Sequence, residues 1–402
     1  MRVLLNAVSW PTSYFHLVPL GWALRSAGHD VRVAGHPDIT EAITGSGLSA
    51  VPVGGGYDYL AGLVDARRAV EEALGRPPRP EDGLMLPPET RRRLLELRLA
   101  PHVAATEAMA DEMVELADAW RPDLVVALPT ALAAPLVAHR LKIPLVRHLW
   151  GPDPTRLAGF PGAGMDPERW PERLRALYDR FETPVAPDYG ELTLDPTPAV
   201  MQVAGVPNRA GVRYVPYNGP AVVPAWLSEK PRRPRVLVSW SSMNTLLDDG
   251  AGFAGRTILD ALAGLDVDVV CTVPHDVDAA SLGELPPGVR LARVAHLLVM
   301  PTCDAVVHHG GTGTMLNAAV HGVPQVIVAG ELDQMFTAQQ LAETGAGFGF
   351  RVDDVDAGRL RDAVQDVLAV SAVRKAAAGL REEMMAAPTP AAMVGRFAEL
   401  AA

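Results

Sequence analysis

Short apolar runs that alternate with helix-like segments constrain this chain more than any other feature, because such alternation builds parallel sheets with helices on their faces. RVLLNAV (2–8) reads as a strand buried on both faces. Leu17, Leu20 and Leu24 then recur at helical spacing, and Gly28 supplies a stop. DVRVA (30–34) is the next strand, and Asp38 with Glu41 reads as a capping-box start for another helix. LSAVPVGG, RPDLVVAL (121–128) and IPLVRHLW (143–150) continue the series. The expectation is a doubly wound parallel sheet.

The pattern starts again after YVPYNGPAVVPAWLSEKPRRPR (214–235), a stretch with the proline density of a linker. VLVSW (236–240), DVDVVCTV (266–273), DAVVHH (304–309) and PQVIVAG (324–330) are strands separated by helix-like segments. A chain of 402 residues exceeds one typical core, which agrees with two α/β domains. The boundaries expected are 1–218, 219–380 and a C-terminal helix over 381–402 that could pack on either domain. Two such sheets facing each other make an interdomain cleft, a common place for ligands. Residues 55–120 are charged and helical. Two readings stand equally: an insertion over the ligand-binding strand ends, or a helical cover for one sheet face.

With 49% hydrophobic and 21% charged residues, the composition is that of a soluble globular protein. A net charge of -11 argues against nucleic-acid and anionic-membrane partners. Cys271 and Cys303 make no disulfide framework, and no Cys/His spacing resembles a zinc site, so no metal is expected. The N-terminus reads as a strand, not a signal peptide, and no apolar stretch reaches membrane-spanning length. A cytoplasmic protein is expected. Oligomeric state stays open, a homodimer included.

DAVVHHGGTGTMLNAAVHG (304–322) carries the strongest chemical signal. A buried strand ends at His309, glycines at 310, 311 and 313 let the backbone turn and approach a ligand, and Thr314 opens a helix. Backbone N–H groups at a helix start suit an anionic phosphate. A lysine-bearing phosphate loop is excluded, because no Gly-Lys-Ser/Thr follows. A dinucleotide site remains open as an alternative, with Glu331 or Asp333 as the ribose-binding acid. The glycines do not match its fingerprint, however, and the paired histidines have no role in it.

HHGGTGT followed by Asp333-Gln334 resembles the nucleotide-sugar-dependent glycosyltransferases of GT-B fold, in the actinomycete natural-product branch. VPLGWALRSAGHDVRV, PLVRHLWGPDPTR, YVPYNG and EEMMAAPTPAAMV resemble that branch too, so the likeness spans nearly the whole chain. It implies an inverting transferase that moves a deoxysugar from a dTDP donor onto a polyketide-type aglycone. No cofactor beyond that co-substrate is implied. The N-terminal domain would bind the aglycone and the C-terminal domain the nucleotide sugar. His309, Gly311, Gly313, Thr314 and Ser242 would hold the diphosphate. Asp333 and Gln334 would bind sugar hydroxyls. Arg293 and Val294 fall where the family holds the base, and an Arg face can stack on a pyrimidine. Two alternatives are an NAD(P)-dependent oxidoreductase and a non-catalytic nucleotide-sugar-binding partner.

The resemblance breaks at the acceptor side. The family's turn reads Thr/Gly-His-x-x-Pro, and alignment on VPLGW puts Ser13 in place of the histidine and His16 in place of the proline. The Asp that orients that histidine corresponds to Leu128. Both halves of the usual acid–base dyad are missing. His16 is either a displaced base or a residue that fills the proline's place, and Ser13 could orient an acceptor hydroxyl. Asp58, His148 and Asp153 are further candidates. An acidic phenol or an activated aromatic carbon would need little base.

Overall fold

The computed structural model describes residues 1–79, 81–239, 255–272, 285–286 and 288–402, and not the side chains of 83 and 84. These residues form two compact units. Met1–Thr197, Gln202–Gly219 and Ala387–Ala402 make the first, and Pro198–Met201 with Pro220–Ala386 make the second.

The first unit is built on a seven-stranded sheet. Its strands are β1 (Arg2–Asn6), β2 (Asp30–Gly35), β3 (Ser49–Pro52), β4 (Leu124–Ala127), β5 (Leu145–His148), β6 (Leu192–Asp195) and β7 (Arg209–Gly211). The order is β3-β2-β1-β4-β5-β6-β7, and every pairing is parallel. Strand order reverses between β1 and β4, the place where such sheets leave a crevice outside their C-terminal ends.

Leu17, Leu20 and Leu24 are all buried, as their spacing predicts. They pack with Val3, Leu5 and Val126 on one face of the sheet, joined by Met393 and Phe397 of the terminal helix Pro390–Leu400. Each such side chain contributes about 1.5–3 kcal/mol by leaving water. On another cluster, Ala105, Met109, Met113 and Ala117 of the long helix Pro88–Trp120 pack against Leu4, Ala34 and Val125. The C-terminal part of the charged 55–120 segment is therefore a helical cover for the sheet.

The second unit repeats the design with β8 (Arg235–Ser239), β9 (Asp268–Thr272), β10 (Val289–Ala292), β11 (Ala305–His308), β12 (Gln325–Ala329) and β13 (Gly347–Arg351). The order is β10-β9-β8-β11-β12-β13, again all parallel, with the reversal between β8 and β11. Val236, Val238, Val307 and Val326 pack with Leu360, Val364 and Val367 of the helix Ala357–Ala369. After the helix Ser371–Ala386 the chain returns to the first unit at Ala387.

Four strands lie outside the apolar runs read from the sequence: β6, β7, β10 and β13. β7 has three residues and β13 reads GFGFR, whose glycines weaken a strand signal. The capping box expected from Asp38 and Glu41 does not form. Asp38 sits in a 3-10 turn, Pro37–Ile39, that His36 caps, and the helix Thr40–Gly45 starts without a side-chain cap.

Candidate functional site

In the second unit the chemistry gathers at the C-terminal end of β11, next to the strand reversal. β11 lies between β8 and β12, so its last residue, His308, is in register with Ser239 and Ile327. His308 is fully buried. Its Nδ1 accepts from the Gly310 N–H at 3.1 Å, which leaves Nε2 to donate to Gln325 Oε1 at 3.0 Å. Gln325 in turn donates to the Met315 carbonyl. This first histidine of the pair is structural: it ties the loop to the sheet and to the helix behind it. Burial holds its pKa down to about 3, so it stays neutral.

His309 has a different setting. It is 8% exposed and has a hydrogen bond with the Ser239 backbone, and burial lowers its pKa to about 4. Gly310 follows with φ +96, a conformation that a side chain would strain, and an added Cβ would meet Ile327 and the Gln334 carbonyl. At Gly311 a Cβ would fall on His309 Nε2, so that nitrogen lies against the glycine backbone. The helix opens at Thr312 with Gly311 as N-cap, two residues before the expected start. Gly313 and Thr314 consequently lie in its first turn, and Thr314 is buried. No acidic residue occupies that turn, so its field favours an anion.

The next strand end supplies Asp333 and Gln334, on the helix Leu332–Thr344. Asp333 is exposed in the first turn. Gln334 is buried, and its Oε1 accepts from the N–H groups of Gly330 and Glu331 at 3.2 and 3.3 Å, completing a capping box with Glu331. The amide oxygen of Gln334 is thus committed to the helix start. Arg293 is exposed after β10, and Val294 packs beside Leu237, Val270 and Met300. Ser242, with Ser241, lies outside the described residues. Sequence reasoning missed His296. Its Nε2 lies 2.9 Å from Ser239 Oγ, and burial lowers its pKa to about 4. A histidine opening a short helix three residues beyond Arg293 was the available signal.

In the first unit Ser13 is partly buried on a four-residue helix, Pro11–Tyr14, and His16 lies in the adjoining turn Phe15–Leu17. The His16 ring faces Tyr214 at 5.7 Å between centroids. Together with His148, Pro196 and Pro390 these residues line a small pocket. Burial, reinforced by His148, lowers the His16 pKa to about 3, and its buried Nδ1 meets no hydrogen-bond partner among the described residues. Leu128 is buried in the core, its N–H donating to the Asn6 carbonyl.

The further candidates are all occupied. Asp58 caps the helix Tyr59–Leu74. His148 donates to the Leu149 carbonyl at 2.8 Å, with a pKa held down to about 4 by burial. Asp153 is buried against Arg147 at 3.1 Å while capping the helix Pro154–Ala158. Among the described residues no His, Cys, Asp and Glu side chains converge as metal ligands, and no helix is long and apolar enough to cross a membrane.

Comparison with known proteins places these features in context. The N-terminal domain of the "Erythromycin biosynthesis protein CIII-like" family matches residues 22–241, and the C-terminal domain of the same family matches 256–400. The chain is 38% identical to 10-deoxymethynolide desosaminyltransferase of Streptomyces venezuelae, over 100% of this chain and 97% of that protein. It is 37% identical to tylactone mycaminosyltransferase of Streptomyces fradiae, over 100% and 93%. Among solved structures, spinosyn rhamnosyltransferase SpnG complexed with thymidine diphosphate matches with a TM-score of 0.81 at 30% identity, covering 98% of this chain and 99% of that one.

Proposed function

This chain belongs to the erythromycin biosynthesis protein CIII-like glycosyltransferases of GT-B fold, and from that premise we propose that it moves a deoxysugar from dTDP to a polyketide-type aglycone with inversion. The observation that carries the donor half is the loop His309–Gly311 at the end of β11, where a buried imidazole nitrogen lies against the opening of a helix. The relative bound to thymidine diphosphate and the relatives named for desosaminyl and mycaminosyl transfer support the choice of donor.

In this reading the second unit holds the donor. Backbone N–H groups of the Thr312–His321 helix, with Gly311, Gly313, Thr314 and Ser242, cradle the diphosphate. His309, whose single N–H in the neutral ring is given to the Ser239 backbone in this fold, turns that donor to the diphosphate when the donor binds. As the anomeric carbon–oxygen bond breaks, negative charge grows on the departing phosphate, and these fixed dipoles stabilise it. Asp333, exposed at its helix start, accepts from sugar hydroxyls. Gln334 contributes through its NH₂ group, its oxygen being committed to the cap. Arg293 and Val294 border the nucleotide base. The acceptor oxygen attacks opposite the leaving group, which inverts the anomeric centre.

On the acceptor side, Ser13 orients the attacking group. His16 fits better as part of the pocket wall with Tyr214 and His148 than as a base. A ring with a pKa near 3 has little affinity for the proton it would have to accept near neutral pH. A biosynthetic enzyme of this type works in the cytoplasm.

The test is ligand-dependent stability followed by turnover. TDP at 100 times its Kd should stabilise the folded protein by about 2.7 kcal/mol, and NAD(P) should do nothing. Stabilisation by NAD(P) and not by TDP would refute the donor assignment. Release of TDP from TDP-desosamine or TDP-mycaminose in the presence of a macrolactone would establish transfer.

A further inference from the structure

Three side chains at the C-terminal edge of the first sheet form an acid–base cluster that the donor chemistry does not use. Ser9 lies in the loop after β1, and His36 and Asp38 lie just after β2, so the pairing of these strands brings them together across 29 residues. Ser9 Oγ donates to Asp38 Oδ2 at 3.1 Å, and His36 Nδ1 stands 2.9 Å from the same oxygen. His36 Nε2 lies 2.7 Å from the Tyr57 carbonyl. Ser9 and His36 are buried, 5% and 7% exposed, whereas the Asp38 side chain is 55% exposed. Two fixed groups thus hold one oxygen of a carboxylate whose other oxygen, Oδ1, has no hydrogen bond among the described residues.

The proton count in this cluster is informative. A carbonyl only accepts, so the proton facing Tyr57 belongs to His36 Nε2. In the neutral ring Nδ1 accepts from the Asp38 N–H at 3.4 Å, and it stands 2.9 Å from Asp38 Oδ2, so a proton added to the pair can be shared between ring and carboxylate. The pair thus has a place for one proton, between a buried ring and a carboxylate that reaches solvent. It lies beside the β1/β4 reversal, where sheets of this kind take ligands, on the side of the chain where the usual histidine and aspartate are replaced by Ser13 and Leu128. The other carboxylates considered there, Asp58 and Asp153, are committed to helix caps.

We propose that Asp38, backed by His36 and oriented by Ser9, is the proton acceptor for the attacking hydroxyl. The proposal rests on the glycosyltransferase reading of this unit. As the acceptor oxygen forms its bond to the anomeric carbon, the bond from that carbon to the diphosphate breaks and TDP leaves with the electron pair. The hydroxyl proton passes to Asp38 Oδ1, and the pair settles with one proton between His36 Nδ1 and the carboxylate. The next step returns that proton to water.

Asp38→Asn should lower transfer from a TDP-sugar to an alcohol acceptor by about 100-fold or more, the scale of a positioned base. The loss should be smaller with a phenol such as 4-methylumbelliferone, and the affinity for TDP should be unchanged. Ser9→Ala, which removes only an orienting bond, should cost less. The alkaline-rising limb of the wild-type pH–rate profile should vanish in Asp38→Asn. The polar groups at the His36 ring nitrogens are the Asp38 carboxylate and N–H at Nδ1 and the Tyr57 carbonyl at Nε2, with Ser9 on the same Asp38 oxygen, while Asp58 on the following segment is occupied by the Ala61 N–H.

A second measurement needs no turnover. In ¹⁵N-labelled protein the nitrogen shifts of the His36 ring should report its contact with Asp38, and Asp38→Asn should change them. Asp38→Asn that keeps alcohol transfer within threefold of wild type, or His36 nitrogen shifts indifferent to Asp38→Asn, would overturn the proposal. So would His16→Ala that abolishes transfer while Asp38→Asn does not. Loss of TDP stabilisation in the wild type would instead refute the donor reading, a separate failure.

Discussion

Gly311→Ala isolates the donor-side histidine without removing it. The glycine has φ -60 and ψ 132, which alanine adopts without strain, so the backbone can stay in place. The added Cβ, however, falls on His309 Nε2 and stands 3.1 Å from Cε1 and 3.4 Å from Cδ2. The ring is hemmed in by its hydrogen bond to the Ser239 backbone and by His308, edge-on at 6.3 Å between centroids. It must tilt as a unit, which displaces Nε2 by about an ångström. Removing one aimed donor from a developing oxyanion costs about 2.7–4 kcal/mol, or about 10²–10³ in kcat. A misplacement of about 1 Å can cost about 10². Gly311→Ala should therefore lower kcat by about 10–100-fold, and His309→Ala by about 10²–10³. Initial rates with a saturating TDP-sugar read the effect, and calorimetry with TDP should show only a few-fold loss of affinity, because the backbone donors remain. The double variant should be no worse than His309→Ala alone, since both changes remove the same interaction. Wild-type kcat in a folded Gly311→Ala protein, or losses that multiply in the double variant, would refute this account of the loop.

Two further outcomes can be measured independently. Asp333→Ala should reduce sugar transfer at least tenfold and leave binding of free TDP within a few-fold, because its contacts are assigned to the sugar; equal losses in calorimetry and turnover would move Asp333 to the nucleotide. Acid should destabilise the fold at histidines that are neutral inside it. His16 and His308 are lowered to about 3 and His102, His148, His296 and His309 to about 4, so between those values and about 6.5 the unfolded chain binds more protons than the folded one. Stability is complete above pH about 6.5 and falls as pH drops through that window. The urea midpoint should be clearly lower at pH 5 than at pH 7.5, and equal midpoints would contradict the burial of these rings.

The parts of the fold that were legible in the sequence share one property: their signal is local. β1, β2, β4 and β5, with β8, β9, β11 and β12, are apolar runs because they sit inside their sheets with helices over both faces. The peripheral strands carry less. β6 and β7 lie toward one edge of the first sheet, and β10 and β13 form the edges of the second. At β7, β10 and β13 pairing on one side relaxes the demand for apolar side chains, and a strand such as GFGFR is defined by its neighbour more than by itself; β6 is paired on both sides and buried, but its four residues, LTLD, make too short a run to stand out. The histidine–glycine turn was legible for the same local reason, since HHGGTGT compresses strand end, turn and helix start into seven residues. Even so, the two histidines look alike in sequence, and only packing separates His308, tied to Gln325, from His309 against Gly311.

The acceptor side was not legible because its groups are assembled by the sheet. Ser13 and Leu128 could be recognised as departures from a family pattern, but nothing in the chain order joins Ser9 to Asp38. In sequence Asp38 reads as a helix cap, a sound local inference for an Asp three residues before a Glu. The structure spends it differently: His36 takes over the cap through its own ring, and the released carboxylate reaches across to the loop of β1. The same contrast between sequence distance and environment applies to His16, the conspicuous histidine. Its position near the expected base is a matter of sequence distance, whereas its environment is a wall of Tyr214, His148 and Pro390 that keeps it neutral. A base needs an exposed atom and a fixed partner together. Of the candidates at this edge, Asp38 combines 55% side-chain exposure with two buried neighbours at one oxygen, which is the ground for proposing the proton acceptor there.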